Sequence, residues 1–419
     1  MPHPSPSLNF LTLPPEIREQ VYTLICRPSE SRSIDEEGYT AYDFRPALSL
    51  FRINRQIHDE ANKVFYSLNT FARVETPWQQ SREHLQFEGD VPTVIRNGAK
   101  FTKHRLVVGI DAPAYEDEGR ERETYVVHAD DLGKIGHTWW LAGLSHPALN
   151  PNLRLTLELR DPFSPEWETP FMAKAMQRKL LEPWGKVRGL VDFRVVGQIT
   201  PYASLLAGVK AAQIDAEPSV ESCLSECVRL KALGNDALKR GTLHVNDASK
   251  QRAAYHEALD FYTQAWAAIH ITIRQHQRHI HADAFYARTL THPPYAAKSA
   301  QSERLTLRIQ LVANTCLAYL KLSQSQEAKF WGMRTIRTLR EAFGVPDGVE
   351  LAPEQEAATG LEAGKEMGRV YYRTAVACLE CGERQEARRL LAVAKIYLPG
   401  EGDQRAIEKV EQGCALRVG

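Results

Sequence analysis

Two pairs of polar residues at helical spacing carry the most legible chemistry in this chain. In RLKALGNDALKR, Lys231 and Asn235 stand four residues apart, and in GRVYYRTAVACLE, Arg369 and Arg373 repeat that interval. On a helix, residues four apart share a face. Like charges at that spacing cost an isolated helix a few tenths of a kcal/mol. An anion held between them turns the cost into charge-assisted hydrogen bonds, and asparagine adds amide donors without adding charge. The chemistry these residues offer is recognition of a carboxylate.

Other polar clusters read as structure. His128, Asp130 and Asp131 form a group beside the strand-like TYVVHA. No GxSxG elbow, phosphate-binding glycine loop or HExxH helix accompanies them, so a solvated strand end is expected and no catalytic residues are assigned. The Trp139-Trp140 pair reads as a core plug. In IHITIRQHQRHIHAD, His276 and His279 read as a polar helix end without a fixed carboxylate partner, hence solvated. Cys378 and Cys381 form a CxxC, and Cys223 and Cys227 lie four apart. Neither pair has a second ligand pair at zinc spacing, so packed thiols are expected and no metal or cofactor is implied.

Composition narrows the function classes. Over 419 residues, 52 basic and 52 acidic side chains balance. No single-sign field points to nucleic acid or an anionic membrane. The start, MPHPSPSLNF, lacks a basic segment followed by an apolar run, and no stretch of about 18 apolar residues occurs. With few cysteines, the expectation is a soluble protein of the cytoplasm or nucleus.

Three segments must position these residues. Residues 1–71 are helical with loops: Thr12 can cap, Pro14 and Pro15 suit a first turn, and Ile17, Val21, Leu24 and Ile25 make an apolar stripe. Residues 72–210 are rich in strand patterns at 106–111, 124–129, 153–160 and 191–197, with an amphipathic helix in FMAKAMQRKLLEPWGKV. That pattern predicts an α+β layer with a small mixed sheet. From residue 218 onward the pattern is almost purely helical and repeats. Gly234, Cys316 and Ala375 occupy equivalent small-residue positions; Ala328 and Ala387 follow the last two by twelve residues. Small residues there let antiparallel helices approach closely, and Ala258, Phe261, Tyr262 and Ala265 lie on the helix facing Gly234.

Two resemblances follow from these residues. LNFLTLPPEIREQVYTLI followed by LFRINRQIHDEANKVFYSLNTF resembles the F-box-like module found at the N-terminus of filamentous-fungal proteins. That resemblance implies a helical cluster docking on the Skp adaptor of a ubiquitin ligase through Leu13, Pro14, Ile17 and Val21, or a helical cap on the next domain. Residues 218–419 resemble a three-unit tetratricopeptide (TPR) solenoid ending in a capping helix, Gln404 to Gln412, with RVYYRTAVACLECGERQEARRLLAVAKIYLP the most specific unit. Departures from the period of about 34 residues are an insert from Thr242 to Ala254 and long segments at 284–303 and 341–362, all read as surface loops.

In one TPR subclass, that of co-chaperones and large immunophilins, the groove carries a two-carboxylate clamp for the Glu-Glu-Val-Asp terminus of heat-shock chaperones. The resemblance carries that clamp onto Lys231 and Asn235 in the first unit, Asn314 in the second, and Arg369 and Arg373 in the third, with Arg369 replacing the usual lysine. The implied protein is mostly α and non-enzymatic: an adaptor binding an acidic chaperone terminus. The alternatives are a ligase substrate receptor and a structural scaffold.

Overall fold

The computed structural model describes residues 9–36, 38–114, 122–165, 167–244, 246–274, 276–346, 348–357 and 363–415. They divide into two compact units, residues 1–216 and 217–419.

In the first unit, helix α1 (Pro15–Cys26) is followed by a small ribbon, β1 (Arg32–Ile34) with β2 (Thr40–Tyr42), and by α2 (Arg45–Leu50) and α3 (Arg55–Leu68). Asn54 caps α3, its Oδ1 accepting from the Ile57 N–H at 2.9 Å. Thr12 does not cap α1; it lies in a preceding 3₁₀ turn, and Pro14 is the cap residue. The buried face of α1 is Arg18, Tyr22 and Cys26, whereas Ile17 and Leu24 of the expected stripe are exposed. A bidentate pair explains the difference. Arg18 Nε and Nη2 donate to Glu60 of α3 at 2.9 and 2.6 Å, and Tyr22 donates to the same carboxylate at 3.0 Å. The Arg18 guanidinium holds the Glu60 carboxyl at about 2, well below the usual range. This ion pair, the Tyr22 hydroxyl and a shared apolar core together join α1 to α3.

The mixed sheet comprises β3 (Phe71–Thr76), β4 (Thr93–Ile95), β5 (Leu106–Asp111), β6 (Glu123–His128), β7 (Arg154–Leu159) and β8 (Asp192–Gly197), in the order β4-β6-β3-β5-β7-β8. The pairs β3–β5 and β7–β8 are parallel and the rest antiparallel. Phe71 and Val126 face the head, joining Tyr22, Ile57 and Phe65 in one core. Alternate residues Ala72, Val74, Tyr125 and Val127 face the other core, as the period of two requires. That second core draws on α5 (Leu132–Ser145), α6 (Lys174–Leu181) and α7 (Ala203–Ile214), while α4 (Ser81–Gly89) packs beside α5. Trp139 is buried and donates from Nε1 to Asn150 at 2.8 Å. Because head and sheet share a core, residues 1–71 and 72–210 fold within one unit.

The second unit opens with α8 (Val220–Leu243) and α9 (Ala248–Ala268). Gly241 lies against Tyr255 and Gly234 against Tyr262, so the two helices run antiparallel. The expected insert at 242–254 is mostly helix: Asp247 caps α9 by accepting from the Lys250 N–H at 3.0 Å. The hairpin of β9 (Ile271–Arg274) and β10 (Gln277–Ile280) follows, where helix was expected, then the short α10 (Asp283–Tyr286). Next come the pair α11 (Ala300–Lys321) and α12 (Ser325–Ala342), the short α13 (Pro353–Glu356), the pair α14 (Gly364–Glu380) and α15 (Arg384–Tyr397), and α16 (Glu401–Ala415). Small residues stand at the close approaches, with Gly234, Cys316, Ala328, Ala375 and Ala387 all buried. Among the described residues no helix is long and apolar enough to cross a membrane.

Candidate functional site

Helix α11 lies against both α8 and α14, so the first helices of the three pairs stand side by side. Each presents one polar face: Lys231 and Asn235 on α8, Gln310 and Asn314 on α11, Glu366, Arg369 and Arg373 on α14. A hydrogen-bonded row crosses all three. Asn235 Oδ1 accepts from Asn314 Nδ2 at 2.7 Å, and Asn314 Oδ1 accepts from Arg373 Nη1 at 3.3 Å. Tyr262 of α9 anchors the row, its hydroxyl donating to Asn235 Oδ1 at 2.9 Å.

The other two sequence-predicted residues flank this row. Lys231 Nζ donates to Gln310 Oε1, and Gln310 Nε2 reaches Glu366 Oε1 at 3.4 Å. Arg369 is exposed and makes no hydrogen bond or ion pair among the described residues. Burial pushes the Arg373 guanidinium below its ordinary value, and the charge of Arg369 adds to that shift against Cys316 and Tyr262. Burial likewise lowers the Lys231 ammonium, opposed by Cys227 and Glu366. Arg373 is therefore desolvated, and its hydrogen bond is to a neutral amide oxygen. A carboxylate is the stronger acceptor for such a group.

Sequence reasoning placed Tyr262 as a packing residue and passed over its hydroxyl. It also missed Gln310 and Glu366, although Gln310 stands four residues before Asn314 and Glu366 three before Arg369, the spacings that define one helical face. Glu366 is a departure of substance, since an acid beside Lys231 opposes a second acid there.

Gly234 holds the row in place through its lack of a side chain. A Cβ there would stand 2.8 Å from Tyr262 Cδ1 and nearer still to Cε1. Gly234→Ala gains about 1 kcal/mol of helix propensity but overpacks a fully buried ring. We expect a net destabilisation of about 1–3 kcal/mol in urea unfolding, with Tyr262 displaced from Asn235. Stability equal to wild type would show that the ring yields freely.

Elsewhere the polar clusters are structural in arrangement. His128 is fully buried, its Nδ1 accepting from the Asp130 N–H at 3.2 Å. Asp130 pairs with Lys179 at 2.5 Å, and Asp131 with Arg32 at 2.9 Å and the Tyr42 hydroxyl at 2.7 Å. The expectation of a solvated strand end is corrected: His128 and Asp131 are enclosed, and Asp130 alone of the three is exposed. His276 and His279 lie on the turn and second strand of the β9–β10 hairpin, not on a helix. His279 is buried, and His276 Nε2 meets the Glu327 carboxylate at 2.9 Å, a partner the sequence did not reveal. Among the described residues no group of three His, Cys, Asp or Glu side chains stands close enough to hold a metal. Cys223, Cys227 and Cys378 are buried free thiols; burial pushes Cys223 up to about 11 and Cys378 up to about 12.

No family model matches the chain, and neither curated proteins nor solved structures give a match to it.

Proposed function

We propose that the second unit is a peptide-binding adaptor of TPR type whose groove takes an acidic C-terminal peptide, and that the chain is not an enzyme. The observation that carries this reading is the row Asn235–Asn314–Arg373, which crosses three helices between Lys231 and Arg369. A C-terminal peptide offers what the row lacks, a pair of carboxylates. The terminal one and an aspartate side chain can draw on the amides and on Arg369 and Arg373. A peptide ending in Glu-Glu-Val-Asp, the terminus of heat-shock chaperones, is the probe this reading selects. Calorimetry on the intact chain should show micromolar binding that weakens when the terminal carboxylate is amidated. Equal binding of the amidated peptide removes the clamp.

A second reading concerns the F-box-like head, and a specific observation favours it. Pro14 is exposed, Ile17 is 42% exposed and Leu24 57%, with Leu13 and Val21 half-buried. Ile17, Val21 and Leu24 of α1, with Leu13 and Pro14 just before it, form an apolar strip that the Arg18–Glu60 pair turns outward. Such a strip suits docking on a Skp adaptor. The adaptor should co-purify with wild type and be lost with the Leu13→Asp, Ile17→Asp double variant. No recovery with wild type would leave the head as a cap on the sheet.

A further inference from the structure

The opposite face of α11 carries a second concentration of positive charge, which the groove does not use. Arg308, Val312 and Thr315 follow one another at four- and three-residue intervals, turned about half a helix away from Gln310 and Asn314. Val312 and Thr315 line a cavity of about 70 Å³ together with Tyr262, Trp266, Ile273, Tyr319 and Trp331. The Thr315 hydroxyl is buried there without a hydrogen-bond partner among the described residues.

Arg278, Arg308 and Arg334, from three elements, stand near residues that line this cavity, and the charges of Arg308 and Arg334 both act on Arg278. Arg278 of β10 rests between the Trp266 and Trp331 indoles, its guanidinium carbon 5.8 Å from each ring centroid, and donates to Thr335 Oγ1 at 3.3 Å. Trp331 and Thr335 bracket Arg334 on α12, which donates to the His276 carbonyl. Arg308 lies one turn before Val312, and its Nε is buried with no partner among the described residues. The neighbouring acids pair with other cations: Asp283 with Arg304 at 3.0 Å, its charge reaching Arg308 only at longer range, and Glu327 with His276 at 2.9 Å. Burial, together with Arg308 and Arg334, pushes the Arg278 guanidinium down to about 10. Like charges that their acids offset only in part cost free energy in a half-buried place, and a bound anion relieves that cost.

We propose that Arg278, Arg308 and Arg334 form an anion site for a phosphoryl group. Three guanidinium forks arriving from a strand and two helices match a tetrahedral oxyanion better than a planar carboxylate. A dianion also offsets most of their charge. The two indoles fix Arg278 in position, which lowers the ordering cost of binding.

The test is calorimetry on the intact chain with inorganic phosphate and with glycerol 2-phosphate, using chloride of equal ionic strength as the blank. Binding in the millimolar range is expected for both, weakened about tenfold by Arg308→Gln. Binding of free phosphate without the ester would restrict the site to the free ion and still support it. Arg334→Gln, which removes only a backbone contact, provides a second variant should Arg308→Gln fail to fold, and it should weaken binding similarly. Heat no greater than the chloride blank overturns the proposal. So does undiminished binding in both variants, which would place the phosphate elsewhere, at Arg369 and Arg373 for example.

Discussion

Replacing Glu356 by alanine is expected to lower the stability of the C-terminal unit by about 3–5 kcal/mol, the largest single effect we anticipate. Glu356 closes α13, and its side chain is 1% exposed. Its Oε2 meets Arg340 of α12 at 2.9 Å and Arg389 of α15 at 2.8 Å, while Oε1 accepts from the Tyr371 hydroxyl of α14 at 2.9 Å. One carboxylate from the 343–363 connection thus ties three helices together. Removing it leaves the Tyr371 hydroxyl without its acceptor and Arg340 without a counter-charge, held only through the Val349 carbonyl, and a buried group left unpaired loses more than the net worth of the contact. Arg389 retains Glu386 at 2.7 Å, so the loss stays below that of three broken bonds. Glu356→Gln should fall between, because its single amide oxygen keeps an acceptor for Arg340 and Arg389 and its amide N–H can donate to the Tyr371 hydroxyl, while the charge is lost. Urea unfolding followed by tryptophan fluorescence reads the difference. A cost below about 1 kcal/mol for Glu356→Ala, the worth of a surface pair, would mean the connection is not held by this carboxylate.

That connection was read from sequence as a loop, and its fixing residue was invisible there. Glu356 sits in LAPEQEAATG, a stretch without apolar periodicity, and its three partners lie 15 to 33 residues away. Burial of a charge depends on partners that only the tertiary fold supplies. The β9–β10 hairpin was missed for another reason. Alternation is present in HITIRQHQRHI, but histidines and arginines occupy positions that simple patterning reads as solvent. The breaks fall at His270, His276 and Ala282, left-handed residues without glycine to mark them. Strands β3 and β4 escaped because one begins at the last residue assigned to the head and the other has three residues. By contrast, β5, β6, β7 and β8 and the paired long helices were legible, since long periodic segments carry their own signal. The site was legible in part. Helical spacing and the TPR resemblance named Lys231, Asn235, Asn314, Arg369 and Arg373, and Asn235, Asn314 and Arg373 touch in one row. Side chains that modify the row, Gln310 and Glu366, belong to no pattern that was sought.

The second large effect concerns Arg373 and separates specific clamping from a merely basic surface. Arg373 is half-buried and desolvated, and its hydrogen bond to Asn314 fixes its fork in the row. If a peptide carboxylate sits there, Arg373→Ala leaves that carboxylate unpaired in a partly dry groove. The expected loss is about 2 kcal/mol or more, roughly a thirtyfold rise in Kd for the Glu-Glu-Val-Asp peptide. Arg369 is exposed, so Arg369→Ala should cost about 0.5–1 kcal/mol. Ionic strength sharpens the distinction. The Debye length falls from about 10 Å at 0.1 M salt to about 3 Å at 1 M, which erases exposed pairs but not desolvated ones. Peptide binding should therefore weaken with salt and survive, with Asn314→Ala reducing it at every concentration because a neutral amide is not screened. Equal losses at Arg369 and Arg373, abolition by salt alone and a silent Asn314→Ala would together mean that the groove attracts acids through charge and does not clamp them.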